Sequence, residues 1–344
     1  MRKKAYFKSV TIFLSILLVF SQLQLFSLPA YGETVSDQPL LFRSVGVAQS
    51  GTTYYVDGEG GNNANDGQSP ASAWRDFEKV NQTEFQPGDH LLLNAQSTWN
   101  NQLLHPKGNG TAAQKIVIDF YDTNDKGETI FETTRRPIIN GGGTYSTGTF
   151  KRAISGAVQL VNQEYWDISN LEVTNTPELD NLEGYKKPGD AQRAGILVLG
   201  YEQNRTFNSV TIRNNYVHDV QTEYYLNLSG NTATKRLKAV GGIIVLGSWF
   251  DENGNVVTAA NDHRTTTGFN DILIENNVIQ RVGLEGIRTK ADSDTSRGNT
   301  FYKTFSNITI RNNYLEDIAG DGIVLSEAKS GGVVEGNVAV RMCN

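Results

Sequence analysis

Three stretches of the sequence repeat one pattern: NSVTIRNNYVHDV at residues 208–220, NDILIENNVIQRV at 270–282 and SNITIRNNYLEDI at 306–318. Each begins with a short run in which apolar and polar residues alternate, and a pair of asparagines follows that run. Alternation with a period of two is typical of strands, and asparagine is typical of tight bends. The three stretches therefore predict one structural unit that recurs along the chain.

Weaker copies and a second motif extend this repeat. The weaker copies are WDISNLEVTNTPE at 166–178 and GGVVEGNVAV at 331–340. The second motif, an apolar run that starts at Gly-Ile or a similar pair, occurs as RAGILVLG at 193–200, GGIIVLG at 241–247, EGIRTKA at 285–291 and DGIVLSE at 321–327. Each unit thus contains two short apolar runs bounded by Gly and Asn.

The spacing between copies shows where the repeat is interrupted. The interval is 24 residues from Ile310 to Val334, 36 from Ile274 to Ile310 and 62 from Ile212 to Ile274. If 24 residues is the bare unit, the longer intervals carry insertions of 12 and 38 residues. Polar stretches rich in strand breakers place the insertions at 221–238, 248–269 and 291–305.

Strands that recur once per coil, in the same order, stack on their own copies in parallel, roughly 4.8 Å apart. This arrangement predicts an all-β solenoid of parallel coils in a single domain, residues 52–344. One asparagine of each pair is expected to take the left-handed bend, with its side-chain amide bonded to the asparagine of the next coil. We therefore assign the asparagine pairs a structural role and no chemistry.

Residues 52–143 have a different pattern, which predicts a cap and the first coils of the solenoid. A short amphipathic helix is predicted from Ala73 to Val80, with Trp74 and Phe77 on its apolar face. Such a helix would cover the open end of the solenoid core, which needs a cap. Residues 144–344 are then the repeat coils with their insertions.

Several motifs, taken in order, carry a resemblance to a known family: YYVD at 54–57, NDG at 65–67, SPASAW at 69–74, PGDHLLL at 87–93, IVID at 116–119 and PIINGGG at 137–143. Followed by the repeats, they resemble the N-terminal region of the pectate-lyase-like right-handed parallel β-helix proteins. The resemblance covers nearly all of the chain after residue 32 and implies that fold, with an N-terminal capping helix. It says little about the reaction, because the superfamily contains polysaccharide lyases, glycosidases, adhesins and phage tailspikes.

The N-terminal residues predict export from the cell. Residues 1–32 combine positive charges, an apolar run from Val10 to Phe20 and a small-residue cleavage site, as in a signal peptide. The alternative is an uncleaved membrane anchor, and residues 33–51 are predicted to be a linker. At the other end, the chain stops at Asn344 partway through a coil, so we expect a fragment of a longer protein.

Composition limits the partners of this protein. The net charge is −6, from 31 Lys and Arg against 37 Asp and Glu, and the sequence has no basic stripe, which excludes nucleic acid as a partner. Cys343 is the only cysteine, so disulfides do not hold the fold together. We expect a secreted monomer that acts on a polysaccharide, does not stay on a membrane after signal cleavage and uses no organic cofactor.

Two cations interrupt apolar columns in the second motif. The outward-facing columns across successive coils are Leu197, Ile244, Arg288 and Val324, and Leu199, Leu246, Lys290 and Ser326. A lyase acting on a uronate needs a base that removes the C5 proton and a cation that neutralises the carboxylate, and Arg288 and Lys290 could supply both. If Lys290 is the base, Lys290→Ala should abolish turnover with little change in stability.

The resemblance implies the same pair, because enzymes of this superfamily often use a Lys or Arg base with Ca²⁺ bridging the substrate. The alternative is that Arg288 and Lys290 are surface cations that form ion pairs with Glu285 or Asp292.

Glu285 and Asp321 form a second candidate pair, because each precedes the Gly-Ile of its coil and the two should stack in one column. Carboxyl groups about 5–5.5 Å apart suit a retaining glycosidase, and a wider separation suits an inverting one. Glu327, just past the strand, is an alternative partner and a candidate substrate-binding residue. The same acids, with Asp292 and Asp294, could instead bind Ca²⁺, which takes clustered oxygen ligands.

Side chains in the insertions are further candidates for substrate binding. Tyr224, Tyr225 and Trp249 suit stacking on a sugar ring, and His263 suits a polar contact in the same groove. The other three histidines are expected to be structural.

We favour a polysaccharide lyase that cleaves a uronate-containing polysaccharide by β-elimination. One alternative is a glycoside hydrolase that uses Glu285 and Asp321, and another is a non-catalytic glycan-binding adhesin module.

Overall fold

The computed structural model describes residues 41–48, 50–143, 154–176, 192–202, 204–221, 240–247, 267–291 and 304–343. These residues lie in one compact unit, Leu40–Asn344. The predicted signal peptide lies outside the described residues. Among the helices of the described part, none has the length and apolarity that crossing a bilayer requires.

Strands make up most of the regular structure. In chain order they are β1 Phe42–Arg43, β2 Thr53–Val56, β3 Glu84–Phe85, β4 His90–Asn94, β5 Thr98–Asn100, β6 Lys107–Gly108, β7 Ile116–Thr123, β8 Thr129–Ile130, β9 Glu132–Thr133, β10 Ile138–Asn140, β11 Ile154–Val161, β12 Trp166–Ser169, β13 Glu172–Asn175, β14 Gln192–Gly200, β15 Thr206–Arg213, β16 Tyr216–Val220, β17 Gly241–Gly247, β18 Gly268–Glu275, β19 Val278–Val282, β20 Glu285–Ala291, β21 Phe305–Arg311, β22 Tyr314–Ile318, β23 Ile323–Leu325, β24 Ala328–Ser330, β25 Val333–Glu335 and β26 Val338–Met342. Helix α1 spans Phe77–Gln82, after a 3-10 turn at Pro70–Ser72.

Most strands belong to three long parallel sheets, and a complete coil contributes one strand to each of them. Sheet 1 has the order β2-β4-β7-β12-β15-β18-β21, and both β24 and β25 pair with β21; sheet 2 has the order β5-β10-β13-β16-β19-β22-β26; sheet 3 has the order β11-β14-β17-β20-β23. The coil formed by β15, β16 and β17 pairs in parallel register with the coil formed by β18, β19 and β20. The fold is a right-handed parallel β-helix, as predicted.

A complete coil has three strands, where the sequence pattern predicted two. The residues after the asparagine pair, such as Tyr216–Val220, form a separate strand of sheet 2. Polar His218 and Asp219 break the alternation in this short run, and Asp219 has a φ of 50°, which bulges the strand. Because of the bulge, apolar and polar residues do not alternate regularly along this strand, so the sequence pattern did not predict it.

The core runs along the helix axis and is filled by inward-facing side chains from all three sheets. Phe207, Phe269 and Phe305 show the principle, because they come from successive coils of sheet 1 and lie in one stack. Their ring centroids are 5.6 Å and 5.4 Å apart, and all three rings are buried. Burial of such columns, at roughly 25 cal/mol per Å² of apolar surface, is the main stabilising term of the solenoid.

A ladder of asparagine side chains runs beneath the bends between sheets 1 and 2. The side-chain amide of Asn215 donates to Oδ1 of Asn277 at 3.1 Å, and that of Asn277 donates to Oδ1 of Asn313 at 3.0 Å. Asn313 extends the ladder to Asn337 at 2.9 Å. The first asparagine of each pair, such as Asn276 with φ 56°, takes the left-handed bend. The predicted bend and ladder are therefore confirmed, but two different residues of the pair provide them.

The N-terminal cap is present, and its helix starts later than predicted. Asp76 caps α1 by accepting a backbone N–H of the first turn at 3.0 Å, which fixes the helix start at Phe77. Trp74 lies before the helix, yet both Trp74 and Phe77 are buried against the first coils. The rings of Phe77 and Trp99 pack with centroids 4.9 Å apart, so the helix does cover the end of the core.

Part of the predicted linker is attached to the flank of the β-helix. Strand β1 pairs antiparallel with β9, and the Arg136 guanidinium lies 3.8 Å from the centroid of the Phe42 ring. The backbone N–H of Val45 donates to the buried Asp119 carboxyl at 2.9 Å, and burial raises the pKa of Asp119 to about 6. These contacts join residues far apart in the sequence, so local composition did not show them.

Two of the predicted insertions end earlier than expected. Strand β18 begins at Gly268 and β21 at Phe305, so the last residues of the segments 248–269 and 291–305 belong to strands. Polar residues precede both strand starts and made the whole stretches look like loops. Most of the three insertions lies outside the described residues.

Two columns of alternating charge run along the outside of the coils. In sheet 1 the register aligns Arg213, Glu275, Arg311 and Glu335. In sheet 2 the fourth residues of β16, β19, β22 and β26 are Asp219, Arg281, Asp317 and Arg341. Arg281 contacts Asp219 at 2.7 Å, and Arg311 contacts Glu275 at 2.7 Å. Such partly exposed ion pairs add little stability. They do make the charges of neighbouring coils complementary.

Candidate functional site

The outer face of sheet 3 changes character along the helix axis. In β14 and β17 its outward side chains are aliphatic and form a buried cluster separate from the central core: Leu197, Leu199, Ile244 and Leu246. The next strand places Arg288 beside Ile244 and Lys290 beside Leu246, which confirms the predicted alignment. A polar site therefore begins where this second apolar cluster ends.

Arg288 forms an ion pair with Glu285, the first residue of its own strand. The Arg288 Nη1 and Glu285 Oε1 atoms are 2.8 Å apart, and the side chains are 18% and 8% exposed. Gly286 lies between them at a point of close backbone approach, since a Cβ there would lie 2.5 Å from the carbonyl oxygen of Gly322. The Gly of the Gly-Ile motif is thus required by coil packing.

Lys290 forms a second ion pair, with Glu327 of the following coil. The Lys290 Nζ and Glu327 Oε1 atoms are 2.8 Å apart, and the side chains are 16% and 3% exposed. Glu327 has a φ of 60°, an uncommon conformation for a residue other than glycine. In the aligned motifs its position is held by Gly200, Gly247 and Ala291. Glu327 therefore interrupts a column that small residues fill in the other coils.

Asp321 lies beside Glu285 in the following coil, because the backbone N–H of Gly286 donates to the carbonyl oxygen of Asp321 at 2.9 Å. Burial raises the pKa of Glu285; the Arg288 charge opposes this rise, and the Asp321 charge adds to it. Asp321 itself is exposed. The site thus combines a buried carboxyl group, whose pKa burial raises, with an exposed carboxyl group on the neighbouring coil.

The structure brings together five of the predicted site residues: Glu285, Arg288, Lys290, Asp321 and Glu327. The alternative predicted the contact between Arg288 and Glu285 correctly. Lys290 instead contacts Glu327, and both cations are mostly buried, where the alternative expected surface cations. The predicted sugar-binding residues Tyr224, Tyr225, Trp249 and His263 lie outside the described residues, as do Asp292 and Asp294. In the described part of the chain, no three His, Cys, Asp or Glu side chains lie close enough to hold a metal ion, and Ca²⁺ stays a prediction.

The three described histidines all have hydrogen-bonded environments away from these five residues. On sheet 2, Nδ1 of His218 lies 2.5 Å from Asp219 and its Nε2 lies 3.1 Å from Glu172. His90 and His105 each contact a backbone carbonyl oxygen, at 2.9 Å and 3.0 Å. Their contacts agree with the structural role predicted for them.

The ion pair of Lys290 changes the stability effect expected of a substitution there. In Lys290→Met the Glu327 carboxylate would remain 3% exposed without its cation. We expect the free energy of unfolding to fall by about 1–3 kcal/mol, somewhat less than for a fully buried pair. Thermal unfolding followed by circular dichroism measures the loss. The double variant Lys290→Met/Glu327→Met should recover most of it, and a double variant as unstable as the single one would contradict the ion-pair explanation.

Comparison with known proteins finds similarity to a lacto-N-biosidase in both sequence and fold. No protein-family model matches it. The chain is 28% identical over 318 residues to the lacto-N-biosidase of Bifidobacterium longum subsp. longum, an alignment of 81% of this chain and 19% of that protein. The chain therefore spans about a fifth of the length of this curated relative.

Two solved structures of the GH136 lacto-N-biosidase from Eubacterium ramulus have a similar fold. The native protein superposes with a TM-score of 0.58 and 24% identity, over 79% of this chain and 43% of that chain. The selenomethionine derivative gives a TM-score of 0.51 and 18% identity, over 84% and 56% of the two chains. At these identities the likeness shows a shared fold.

Proposed function

We propose that this chain forms the β-helix of a glycoside hydrolase in which Glu285 and Asp321 are the catalytic carboxyl groups. The observation that supports this most strongly is the position of Asp321, an exposed acid, beside Glu285, a buried acid whose pKa burial raises. Two carboxyl groups with such different environments suit one proton donor and one charged partner. The two lie at the polar end of sheet 3.

In this mechanism Glu285 donates its proton to the glycosidic oxygen as the bond to the anomeric carbon breaks. Asp321, as a carboxylate, stabilises the positive charge that develops on the sugar ring and either attacks the anomeric carbon or activates a water molecule. Glu285 is then a carboxylate, and the Arg288 guanidinium at 2.8 Å stabilises it.

A hydrolase fits this site better than the lyase that the sequence favoured. In a lyase Lys290 would have to give up its contact with Glu327 before taking a proton, and Arg288 would have to leave Glu285 to bind a uronate. The five charged side chains also include three acids against two cations, which does not favour an anionic substrate. The relationship to a lacto-N-biosidase supports the hydrolase as well.

We extend the proposal to the substrate: an oligosaccharide that carries a lacto-N-biosyl group, by analogy with the name of the relative. The signal-like residues 1–32 add the proposal that the protein acts outside the cell.

A glycan panel incubated with the full-length protein tests the proposed function. The panel should include a chromogenic lacto-N-bioside, neutral oligosaccharides and polygalacturonate. We expect release of reducing ends or chromophore without the ultraviolet absorbance of unsaturated uronate. New absorbance on polygalacturonate would make the protein a lyase, and binding without any cleavage would make it an adhesin module.

A further inference from the structure

His218, on the outer face of sheet 2, contacts a carboxylate through each of its two ring nitrogens. Nδ1 lies 2.5 Å from Oδ2 of Asp219, and Nε2 lies 3.1 Å from Oε1 of Glu172 in the preceding coil. An ionised carboxylate only accepts hydrogen bonds, so each nitrogen needs a proton to bind its partner. The two contacts together therefore require the charged imidazolium form of His218.

Arg281 of the following coil offers Nδ1 a second partner. Its Nη2 atom lies 2.7 Å from Oδ2 of Asp219 and 3.1 Å from Nδ1 of His218. A guanidinium only donates hydrogen bonds, so it can bind Nδ1 only after this nitrogen has lost its proton. Nδ1 thus has a carboxylate acceptor for its protonated state and a guanidinium donor for its deprotonated state.

The other ring nitrogen has a single kind of partner. Among the described residues, Glu172 is the group that hydrogen-bonds to Nε2. Loss of the proton from Nε2 would leave two acceptors facing each other, whereas loss from Nδ1 creates an acceptor for Arg281. Neutral His218 therefore keeps its proton on Nε2.

Charged and titratable side chains surround His218 on this face of the sheet. Those on its own strand and on the neighbouring coils are Arg136, Glu172, Tyr216, Asp219, Arg281, Glu316 and Asp317. The hydrogen bond from Arg281 lowers the pKa of Asp219, so this carboxylate stays charged while His218 titrates. The charge that changes between mildly acid and mildly alkaline pH is therefore that of the imidazole.

The surroundings also fix the direction in which this proton affects stability. Burial lowers the pKa of His218, but the hydrogen bonds and charges of Glu172 and Asp219 outweigh it and raise the pKa above the ordinary value of about 6.5. The folded protein therefore holds the proton more tightly than the unfolded chain does. This contribution to stability is fully present below the unfolded-state pKa and is lost as the pH rises through the folded-state pKa.

We propose that Nδ1 of His218 is a pH-sensitive switch built into sheet 2. With its proton Nδ1 donates to Asp219, and without it Nδ1 accepts from Arg281, while Nε2 donates to Glu172 in both states. The side chain is 13% exposed, so the proton lost from Nδ1 passes to water. The switch is independent of the function proposed for Glu285 and Asp321, which lie on sheet 3.

Nitrogen NMR of the full-length protein, labelled in its histidine rings, tests the switch directly. The chain has four histidines, and the signals of His218 are those lost in His218→Gln. We expect both ring nitrogens to carry a proton at acid pH and Nδ1 to lose its proton as the pH rises, with a midpoint above that of the unfolded chain. Loss of the Nε2 proton instead, or a midpoint at or below that of the unfolded chain, overturns the proposal. If His218→Gln does not fold, through-bond correlation to the backbone assigns the same signals.

The pH dependence of stability gives a second, independent measure. Between mildly acid and mildly alkaline pH, the unfolding equilibrium constant of the wild type should rise relative to that of His218→Gln. The expected factor is the ratio of the acid dissociation constants of His218 in the unfolded and folded protein, which NMR supplies. Chemical denaturation of both proteins across this pH range measures the factor, and an equal pH dependence in the two proteins would contradict the switch.

Two substitutions should move the NMR midpoint of His218 in opposite directions. Asp219→Asn removes the negative charge that Nδ1–H contacts, so the midpoint should fall. Arg281→Gln removes both a nearby positive charge and the donor to the neutral ring, so the midpoint should rise. The control Arg341→Gln removes the arginine that contacts Asp317, farther along the same column, and should leave the midpoint nearly unchanged. A midpoint in Arg281→Gln no higher than that of the wild type, or a shift as large in the control, would overturn the exchange of partners at Nδ1.

Discussion

Glu285→Gln is expected to lower kcat on the hydrolysed glycan by about two to four orders of magnitude, because the amide cannot donate the acid proton. The fold should persist, since glutamine has the shape of glutamate and its carbonyl oxygen can still accept from Arg288. Initial rates on the glycan cleaved in the panel, together with a thermal unfolding curve, measure both effects. Asp321→Asn should also lose most of its activity, since it removes the second carboxylate.

A matched control for this substitution is Glu275→Gln. Glu275 belongs to the neighbouring β18, and its carboxylate contacts Arg311 at 2.7 Å, but it lies on sheet 1. This variant should keep wild-type kcat. If Glu285→Gln hydrolyses glycan as fast as the wild type, Glu285 is not the acid, and Glu327 becomes the next candidate.

The raised pKa of Glu285 also predicts how the stability of the protein depends on pH. Its pKa is raised in the folded state, so the folded protein holds this proton more tightly than the unfolded chain does. The contribution of Glu285 to stability is therefore present at acid pH and is lost as the pH rises through the folded-state pKa. Between mildly acid and neutral pH, the Tm of Glu285→Gln should fall less than that of the wild type.

Asn277→Ala is expected to lower the free energy of unfolding by about 3–5 kcal/mol. Oδ1 of Asn277 accepts the backbone and side-chain N–H groups of Asn215 at 3.0 Å and 3.1 Å. Its amide donates to the carbonyl oxygen of Ile212 at 3.0 Å. Alanine leaves these groups without partners at a position that is 1% exposed, where water does not easily replace the amide. Chemical denaturation at equilibrium measures the change.

The neighbouring Asn276 provides the control for the ladder. It has a φ of 56°, and glycine adopts this conformation without strain. Asn276→Gly should therefore change the free energy of unfolding by no more than about 0.5 kcal/mol. A loss in Asn277→Ala that is no larger than this would mean that the ladder does not support the stack.

Much of the fold could be predicted because the residues that specify it are close together in the sequence and recur in successive coils. The alternation around Ile212, Ile274 and Ile310, with an asparagine pair after each, is enough to align the coils and to place Arg288 and Lys290 in outward columns. What escaped prediction depends on contacts across the sequence. Lys290 and Glu327 are 37 residues apart, and no local pattern shows that they meet.

The chemistry proposed for the site was harder to predict than the fold for the same reason. The sequence showed two cations and several acids, but a lyase and a hydrolase differ in which of these groups is free to act. That depends on pairing and burial: Arg288 contacts Glu285, and Lys290 contacts a glutamate that is almost fully buried. Residue types and spacing alone do not contain this information.

The two columns of alternating charge have opposite phase. The coil with Arg213 in sheet 1 has Asp219 in sheet 2, and the next coil reverses both signs with Glu275 and Arg281. Each of these four coils therefore has a parity. Loss or gain of a single coil among them would place like charges side by side in both columns, and like charges on adjacent strands repel, whereas loss or gain of two coils would keep the signs alternating. Parity thus penalises a chain that skips one of these coils while folding, and it makes two coils the step by which this part of the helix can change length and keep opposite charges in contact.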